Sequence, residues 1–419
     1  MTSEPRLGDL ADIESGYAFK SSDWMAQGNP VVKIKNVKDG YVTLEDCGFV
    51  SDEIAAKASK FIARGGDVLV SLTGYVGQVG RVEKGDTVLV NQRVGLVRPA
   101  DESERSFVYH LLRNLRTEIE ELATGTAQAN VAPRDIMNLN IENLGQGARR
   151  KIGEVLDFFD FKIGVNTRIS KTLEDLTQTI FKSWFIDFDP VKTKMAGEKP
   201  VGVDSATAAL FPDSMEDSES GPIPSGWKLQ SLSEIGEFRN GLAMQKFPVV
   251  DDGSVLPVIK IAQLRAGSTA GADLASGLID PKFVISDGDI LFSWSGTLEI
   301  EHWAGGPGAL NQHLFKVLGK TVPDWFIFCS SRSHLPEFRR IASGKATTMG
   351  HIQRAHLDEA KVAVPPAALL EAVGGFISAL AAKKVALLVE NRTLTEIRDA
   401  LLPRLISGEL QIPEEMMVS

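Results

Sequence analysis

Several stretches of the chain hold residue types at spacings that could do chemistry of their own. GYVGQVG (74–80) sets glycines three apart as a nucleotide cradle would, yet it stands between two strand-like runs with no helix opening after it. It reads as a hairpin or bulge. SGKAT (343–347) has the Gly-Lys pair of a phosphate loop, but Ala346 replaces the required Ser/Thr and Arg339 stands where the upstream glycine belongs. A DNA methyltransferase needs an Asn/Asp-Pro-Pro-aromatic tetrad, and Asp189-Pro190 runs on to Val191 with no Phe-x-Gly-x-Gly loop elsewhere. There is no Gly-x-Ser-x-Gly elbow. The six histidines are scattered, the closest pair being His351 and His356, and two cysteines, Cys47 and Cys329, make neither a disulfide framework nor a zinc ribbon. The expectation is a non-catalytic chain that binds no metal and no cofactor.

What is left is recognition by hydrogen bonding, and its setting is a repeat. GDVLVSLTG (66–74) returns as GDILFSWSG (288–296), 222 residues later in a chain of 419. LGDLADIESG (7–16) answers LSEIGEFRNG (232–241), PVVKI (30–34) answers PVIKI (257–261), Asn91-Gln92 answers Asn311-Gln312, and TGTAQ (124–128) falls opposite SGKAT. Offsets drift between 219 and 227, as loop insertions in two copies of one domain would produce. Runs such as DVLVSL, TVLVNQRVGLV, LPVIKIAQL and DILFSW read as strands, and SFVYHLLRNLRTEIEELAT has helical spacing.

From residue 152 the offset holds at 221 for more than thirty residues. There Ile152, Phe159, Asn166, Leu173 and Ile180 face Val373, Leu380, Leu387, Leu394 and Leu401, each series spaced by sevens. Such a stripe predicts one long helix after each domain, over 148–186 and 368–408, each roughly 55–60 Å long and packed on the other. Asn166 is the polar exception, set either to fix register or to face solvent. Between the halves, 187–226 is rich in Pro, Gly, Ser and acidic residues and reads as a mostly irregular linker. The expected fold class is α+β: two similar mixed α/β domains, 1–147 and 227–367, separated by two long antiparallel coiled-coil helices in a pseudo-two-fold repeat, with a tail at 409–419. No apolar run approaches the roughly 20 residues of a membrane span, and the N-terminus has no signal-peptide pattern, which points to the cytoplasm. A net charge of −10 argues against coating nucleic acid by bulk electrostatics but leaves room for a local basic groove.

Two similar but non-identical domains on a helical spacer suit a target with two similar but non-identical parts, and asymmetric bipartite double-stranded DNA is such a target. A duplicated, DNA-independent scaffold for protein assembly is the alternative, and a stand-alone DNA-modifying enzyme a more distant one. FKSWFIDFDPV (181–191) followed by LFPDSMEDSESGPIPSGW (210–227) closely resembles the central region of the specificity subunits of type I restriction-modification systems, called HsdS. LLPRLISGEL (401–410) resembles the end of their second conserved helix, and the order of domains and helices is similar over nearly the whole chain. The resemblance implies a non-catalytic, DNA-reading subunit. Two DNA adenine methyltransferase subunits using S-adenosylmethionine would clasp the helices, and motor-nuclease subunits using ATP and Mg would join them.

Base reading needs Arg, Lys, Asn, Gln, Ser or Thr on exposed loops, and phosphate positioning needs Lys, Arg and small hydroxyls. In the first domain the candidates are Lys20, Ser21, Ser22, Lys33, Lys35, Asn36, Lys38, Ser71, Thr73, Tyr75, Asn91, Gln92, Arg93, Thr126, Gln128 and Asn130. In the second they are Gln245, Lys246, Lys260, Gln263, Arg265, Ser293, Trp294, Ser295, Asn311, Gln312, His313, Lys345, Thr347, Thr348 and His351. Because the Asn-Gln pair is shared, it suits a structural or phosphate role. The unshared residues, Tyr75, Arg93, Gln128, Asn130, Trp294, His313, Thr348 and His351, suit discrimination between bases.

Overall fold

The computed structural model describes residues 4–124, 129–250, 253–344 and 350–412. It falls into two compact units, Met1–Lys162 with Leu394–Ser419, and Ile163–Thr393.

The first unit carries two sheets. One has five strands in the order Ala11–Ser15, Val94–Pro99, Val68–Ser71, Val79–Arg81, Gly40–Tyr41, antiparallel except for the last pair. The other has four, Gly48–Val50, Asn29–Val32, Thr87–Val90, Ile62–Arg64, with its central pair parallel. The run VLVS is buried at all four positions, so both faces of that strand are covered and its sequence needs no polar alternation. The second unit repeats the plan. Gly236–Asn240, Leu314–Gly319, Ile290–Ser293 and Ile300–His302 form one sheet, and Leu274–Ser276, Val255–Ile259, Gly308–Leu310 and Val284–Ile285 the other, again with a parallel central pair. Strand order and direction match the first unit position by position, apart from the short fifth strand.

GYVGQVG spans the connection between two antiparallel strands, Val68–Ser71 and Val79–Arg81, and enters the second, so it is a hairpin and not a phosphate loop. The repeated Gly-Asp turn is the same in both copies: the Asp67 carboxylate accepts from Arg64 N at 2.8 Å and the Asp289 carboxylate from Ser286 N at 2.8 Å. LPVIKIAQL is only half strand. After Val255–Ile259 the chain turns into a helix, Ile261–Ala266, because Gln263 reaches back to accept from Lys260 N at 3.3 Å and caps its first turn.

The two long helices run over Gln146–Phe181, continued as a wider turn over Lys182–Ile186, and over Ala367–Ile406. Within the second unit Asn166 bonds Glu390 and Lys384 pairs with Glu174, so one numbering rises as the other falls. In the first unit Arg398 of the second helix pairs with Asp160 of the first. No seam residue is exposed: Ile152, Asn166, Val373 and Leu387 are buried and Phe159, Leu173, Ile180, Leu380, Leu394 and Leu401 half-buried. Asn166 is therefore an interior residue, its Nδ2 donating to Glu390 Oε2 at 3.0 Å. By length and composition Ala367–Ile406 is apolar enough to cross a membrane. It also carries Lys384 in a buried ion pair, and Val373 and Ile377 pack into the second unit's core.

Segment 187–226 departs from the irregular linker expected from its composition. It holds helices at Asp189–Met195 and Ser205–Leu210 and a two-stranded pairing of Met215–Glu216 with Ile223–Pro224. Val191, Phe211 and Ile223 are buried in one core with Phe181, Phe185, Trp227 and Trp325. These few apolar residues, scattered among Pro, Gly and acids, are enough to fix the segment onto the second domain.

Candidate nucleic-acid interface

Among the described residues, unshared candidates meet at one turn in each domain. In the first, strand Val68–Ser71 ends in a turn where Thr73 Oγ1 donates to Asn130 Oδ1 at 2.7 Å and Gly74 N donates to Ala129 O at 2.9 Å. Leu72 N donates to Arg93 O at 3.0 Å, bringing the exposed Arg93 beside them. In the second, Ser295 Oγ and His313 Nδ1 lie 3.1 Å apart, Ser295 bridges to His351, and Gly296 N donates to Gly350 O at 2.8 Å. The Trp294 ring packs against His313, His351 and Phe315, and its Nε1 donates to Asn240 Oδ1 and Gln312 O, each at 3.2 Å. Thr73, Arg93 and Asn130 thus occupy the places of Ser295, His313 and His351. Gly74 and Gly296 hold φ values of 73° and 65°, which lets the chain reverse there without a side-chain clash.

Beneath these residues the shared letters do structural work. Ser71 and Ser293 are fully buried, and their hydroxyls donate to Tyr75 O and Thr297 O and accept from Gln78 N and Glu299 N. Asn36 is also fully buried, its Oδ1 accepting from Lys33 N at 3.0 Å and its Nδ2 donating to Glu45 O at 2.9 Å. These three are corrected from candidate contacts to internal braces, since a group with no exposed surface cannot meet a base edge. Gln263, nearly buried, makes the same backbone cap in the second copy. Asn91 Oδ1 and Asn311 Oδ1 accept from the amides of Arg93 and His313, at 3.3 and 3.2 Å, shaping the same turn twice.

Several of the remaining basic candidates have partners of their own. Lys33 Nζ lies 3.8 Å from the Trp24 ring centroid, and Lys35 pairs with Asp46 at 3.8 Å. Lys260 pairs with Asp273, and Arg265 with Glu299 at 3.6 Å. Lys20, Ser21, Ser22, Gln92, Gln245 and Lys246 are exposed, while Lys38 and Gln312 are half-buried. Thr126, Gln128, Lys345, Thr347 and Thr348 lie outside the described residues.

The family model for the type I restriction modification DNA specificity domain matches the chain twice, over residues 3–175 and 224–384. The chain belongs to that family. It is 25% identical over 355 residues to the type I restriction enzyme HindI specificity subunit of Haemophilus influenzae, covering 72% of this chain and 76% of that one. It is 22% identical over 377 residues to the MjaIX specificity subunit of Methanocaldococcus jannaschii, covering 87% and 82%. The crystal structure of a type I restriction-modification S subunit from M. genitalium covers 96% of both chains with a TM-score of 0.53 and 17% identity, a likeness of fold.

This specificity-domain chain also has two charged junctions that the sequence reading missed, where each domain meets the long helices. In the first unit Asp157 accepts from Ser106 Oγ and lies 2.9 Å from His110 Nε2 and 2.7 Å from Arg81. Asp160 pairs with Arg398 at 2.6 Å and Arg113 at 3.5 Å. Burial pushes the Asp157 carboxyl up, but His110, Arg81 and Ser106 together outweigh it and hold it at about 2. Burial wins at His110 and lowers it despite the carboxylate beside it, so the ring is neutral and donates Nε2–H. Ligand atoms of His110, Asp157 and Asp160 lie within 4.8 Å of one another, but guanidinium groups already supply the positive charge a metal would bring.

In the second unit Lys384 is shared between Glu174 and Glu301, and Arg332 reaches the same two carboxylates at 3.1 and 2.8 Å. Burial raises the Glu301 carboxyl, and Lys384 and Arg332 reverse this to a net lowering. A signal for both junctions was present: Asp157, Asp160, Glu174, Lys384 and Arg398 are charges on helices whose neighbouring turns are apolar.

Proposed function

We propose that the chain is the DNA-reading subunit of a type I restriction-modification assembly, each recognition domain reading one half of an asymmetric bipartite target. One observation carries this: a scaffold built twice from the same buried braces holds Thr73, Arg93 and Asn130 in one copy and Ser295, His313 and His351 in the other. Identical scaffolds with different hydrogen-bonding side chains at matching positions are what two different half-sites require. The neighbouring Lys and Arg side chains position the phosphates. The long helices set the half-site spacing and dock two adenine-methylating subunits, to which motor-nuclease subunits add.

S-adenosylmethionine, ATP and Mg bind those partner subunits; this chain performs no catalysis and works in the cytoplasm. Because its net charge is −10, DNA affinity in isolation is weak and salt-sensitive, and the assembled complex is the form to test. Exchange of residues 1–147 for those of another family member, followed by mapping of methylated adenines, is expected to change one half of the modified motif and leave the other. A change in both halves, or in neither, refutes the modular reading. Loss of DNA retention with intact protein assembly favours a scaffold instead.

A further inference from the structure

Tyr75 is 75% exposed, the most exposed aromatic side chain among the described residues. Its backbone, in contrast, is pinned on every side. Ser71 Oγ donates to its carbonyl, Gly77 N donates to Ser71 O at 3.0 Å, and Gly74 N donates to Ala129 O. The next residue, Val76, is buried in the domain core and anchors the turn from below. Two residues before Tyr75, Thr73 bonds the exposed Asn130, so the exposed ring stands on the same turn that holds a candidate base reader. A tyrosine ring on an immobilised turn is a rigid, amphipathic contact surface that loses little side-chain freedom when something stacks on it.

The second domain supplies an internal control. Its turn is one residue shorter, the serine hydroxyl accepting from Glu299 N where Ser71 accepts from Gln78 N, but shares three braces: Ser293 Oγ donates to Thr297 O at 2.6 Å, Gly296 N donates to Gly350 O at 2.8 Å, and Leu298 is buried where Val76 is. The residue presented there is Thr297, also exposed. The same backbone device therefore offers an aromatic ring in one copy and a small hydroxyl in the other.

We propose that Tyr75 is a stacking wedge, its ring inserted against the bases of the half-site read by the first domain, with no counterpart at the other half-site. The proposal rests on the chain being a DNA-reading subunit. Side chains that enter a base step unstack it locally, and a base stacked on an aromatic ring is held tightly and with little regard to its identity. The wedge would thus deform one half-site and leave sequence choice to the exposed Arg93 and Asn130, the latter oriented by Thr73.

The test uses the full chain assembled with its methylating subunits and duplexes of the mapped motif, with 2-aminopurine placed at positions of either half-site away from the methylated adenine. The native complex is expected to raise the probe's fluorescence at one step of the first half-site and at none of the second. Tyr75→Ala and Tyr75→Thr should abolish that rise and weaken binding about ten- to a hundredfold. Tyr75→Phe should keep both within about twofold, since the ring and not the hydroxyl does the stacking. Tyr75→Ala behaving as the native protein, or Tyr75→Phe losing as much as Tyr75→Ala, overturns the wedge while leaving the DNA-reading function standing. A native complex that fails to prefer the mapped motif over a scrambled duplex sinks both.

Discussion

Replacing His302 by Phe should remove a defined share of the acid sensitivity of the second unit. His302 sits in strand Ile300–His302 with its ring 4.1 Å from that of Phe328, centroid to centroid, and its Nδ1 buried without a partner among the described residues. Burial first, then the Lys384 and Arg332 cations against the opposing Glu301, push the ring down to about 4 from its ordinary 6.5. A folded value below the unfolded one means the unfolded chain takes the proton first as pH falls. Stability is therefore complete above about pH 6.5 and is lost progressively down to about pH 4. Between pH 7 and pH 5 this linkage amounts to about 1.5–2 kcal/mol. At a urea slope of roughly 2–3 kcal/mol per molar, the midpoint should fall by about 0.5–1 M. Five of the six tryptophans, at 184, 227, 294, 303 and 325, lie in the second unit, so intrinsic fluorescence follows its unfolding. Because other buried histidines also titrate, the informative quantity is the difference between the native protein and His302→Phe. A pH-induced midpoint change that is the same in both would refute the reasoning.

Lys384→Met should cost about 1–3 kcal/mol in the same fluorescence assay, since it strips a cation from the partly buried Glu174 and Glu301. Lys384→Met with Glu174→Leu should recover at least half of that loss, because the stranded charge goes too. Leu156→Ala, at a fully buried position of the first unit's core, should cost about 2–5 kcal/mol by urea titration followed by circular dichroism. Ser71→Ala removes a buried hydroxyl that braces the Tyr75 turn, so exchange of the Gln78 amide with solvent should quicken at least tenfold, the kinetic signature of about 1.4 kcal/mol or more.

The duplicated plan was legible because both copies spend the same letters on the same turns: Gly66-Asp67 and Gly288-Asp289 cap one strand, Ser71 and Ser293 brace the next turn. The helix stripe was equally legible, since a seven-residue spacing leaves few alternatives to a packed helix pair. Other features depend on contacts remote in sequence. Nothing local in DFDPVKTKMAGEKP announces that Val191 is buried, because its partners lie in the second domain's core. Ser71, Ser293 and Asn36 mislead for the same reason: a polar side chain in a loop-like stretch reads as exposed until its backbone partners are known. Conversely Thr73 with Asn130, and Ser295 with His313 and His351, are far apart in sequence, and only the fold shows that they form matching sets.

The charged junctions carry a consequence for how such chains can be rebuilt by recombination. The first domain offers Arg81 and Arg113 to a helix pair that presents Asp157, Asp160 and Arg398. The second offers Glu301 and Arg332 to one that presents Glu174 and Lys384. Moved to the second seat, the first domain would bring two guanidinium groups to a lysine with a single carboxylate between them. Moved to the first, the second would set Glu301 against a pair of aspartates. The two seats of this chain thus differ in charge beneath a common fold, and a domain exchanged between them would meet helix charges arranged for the other.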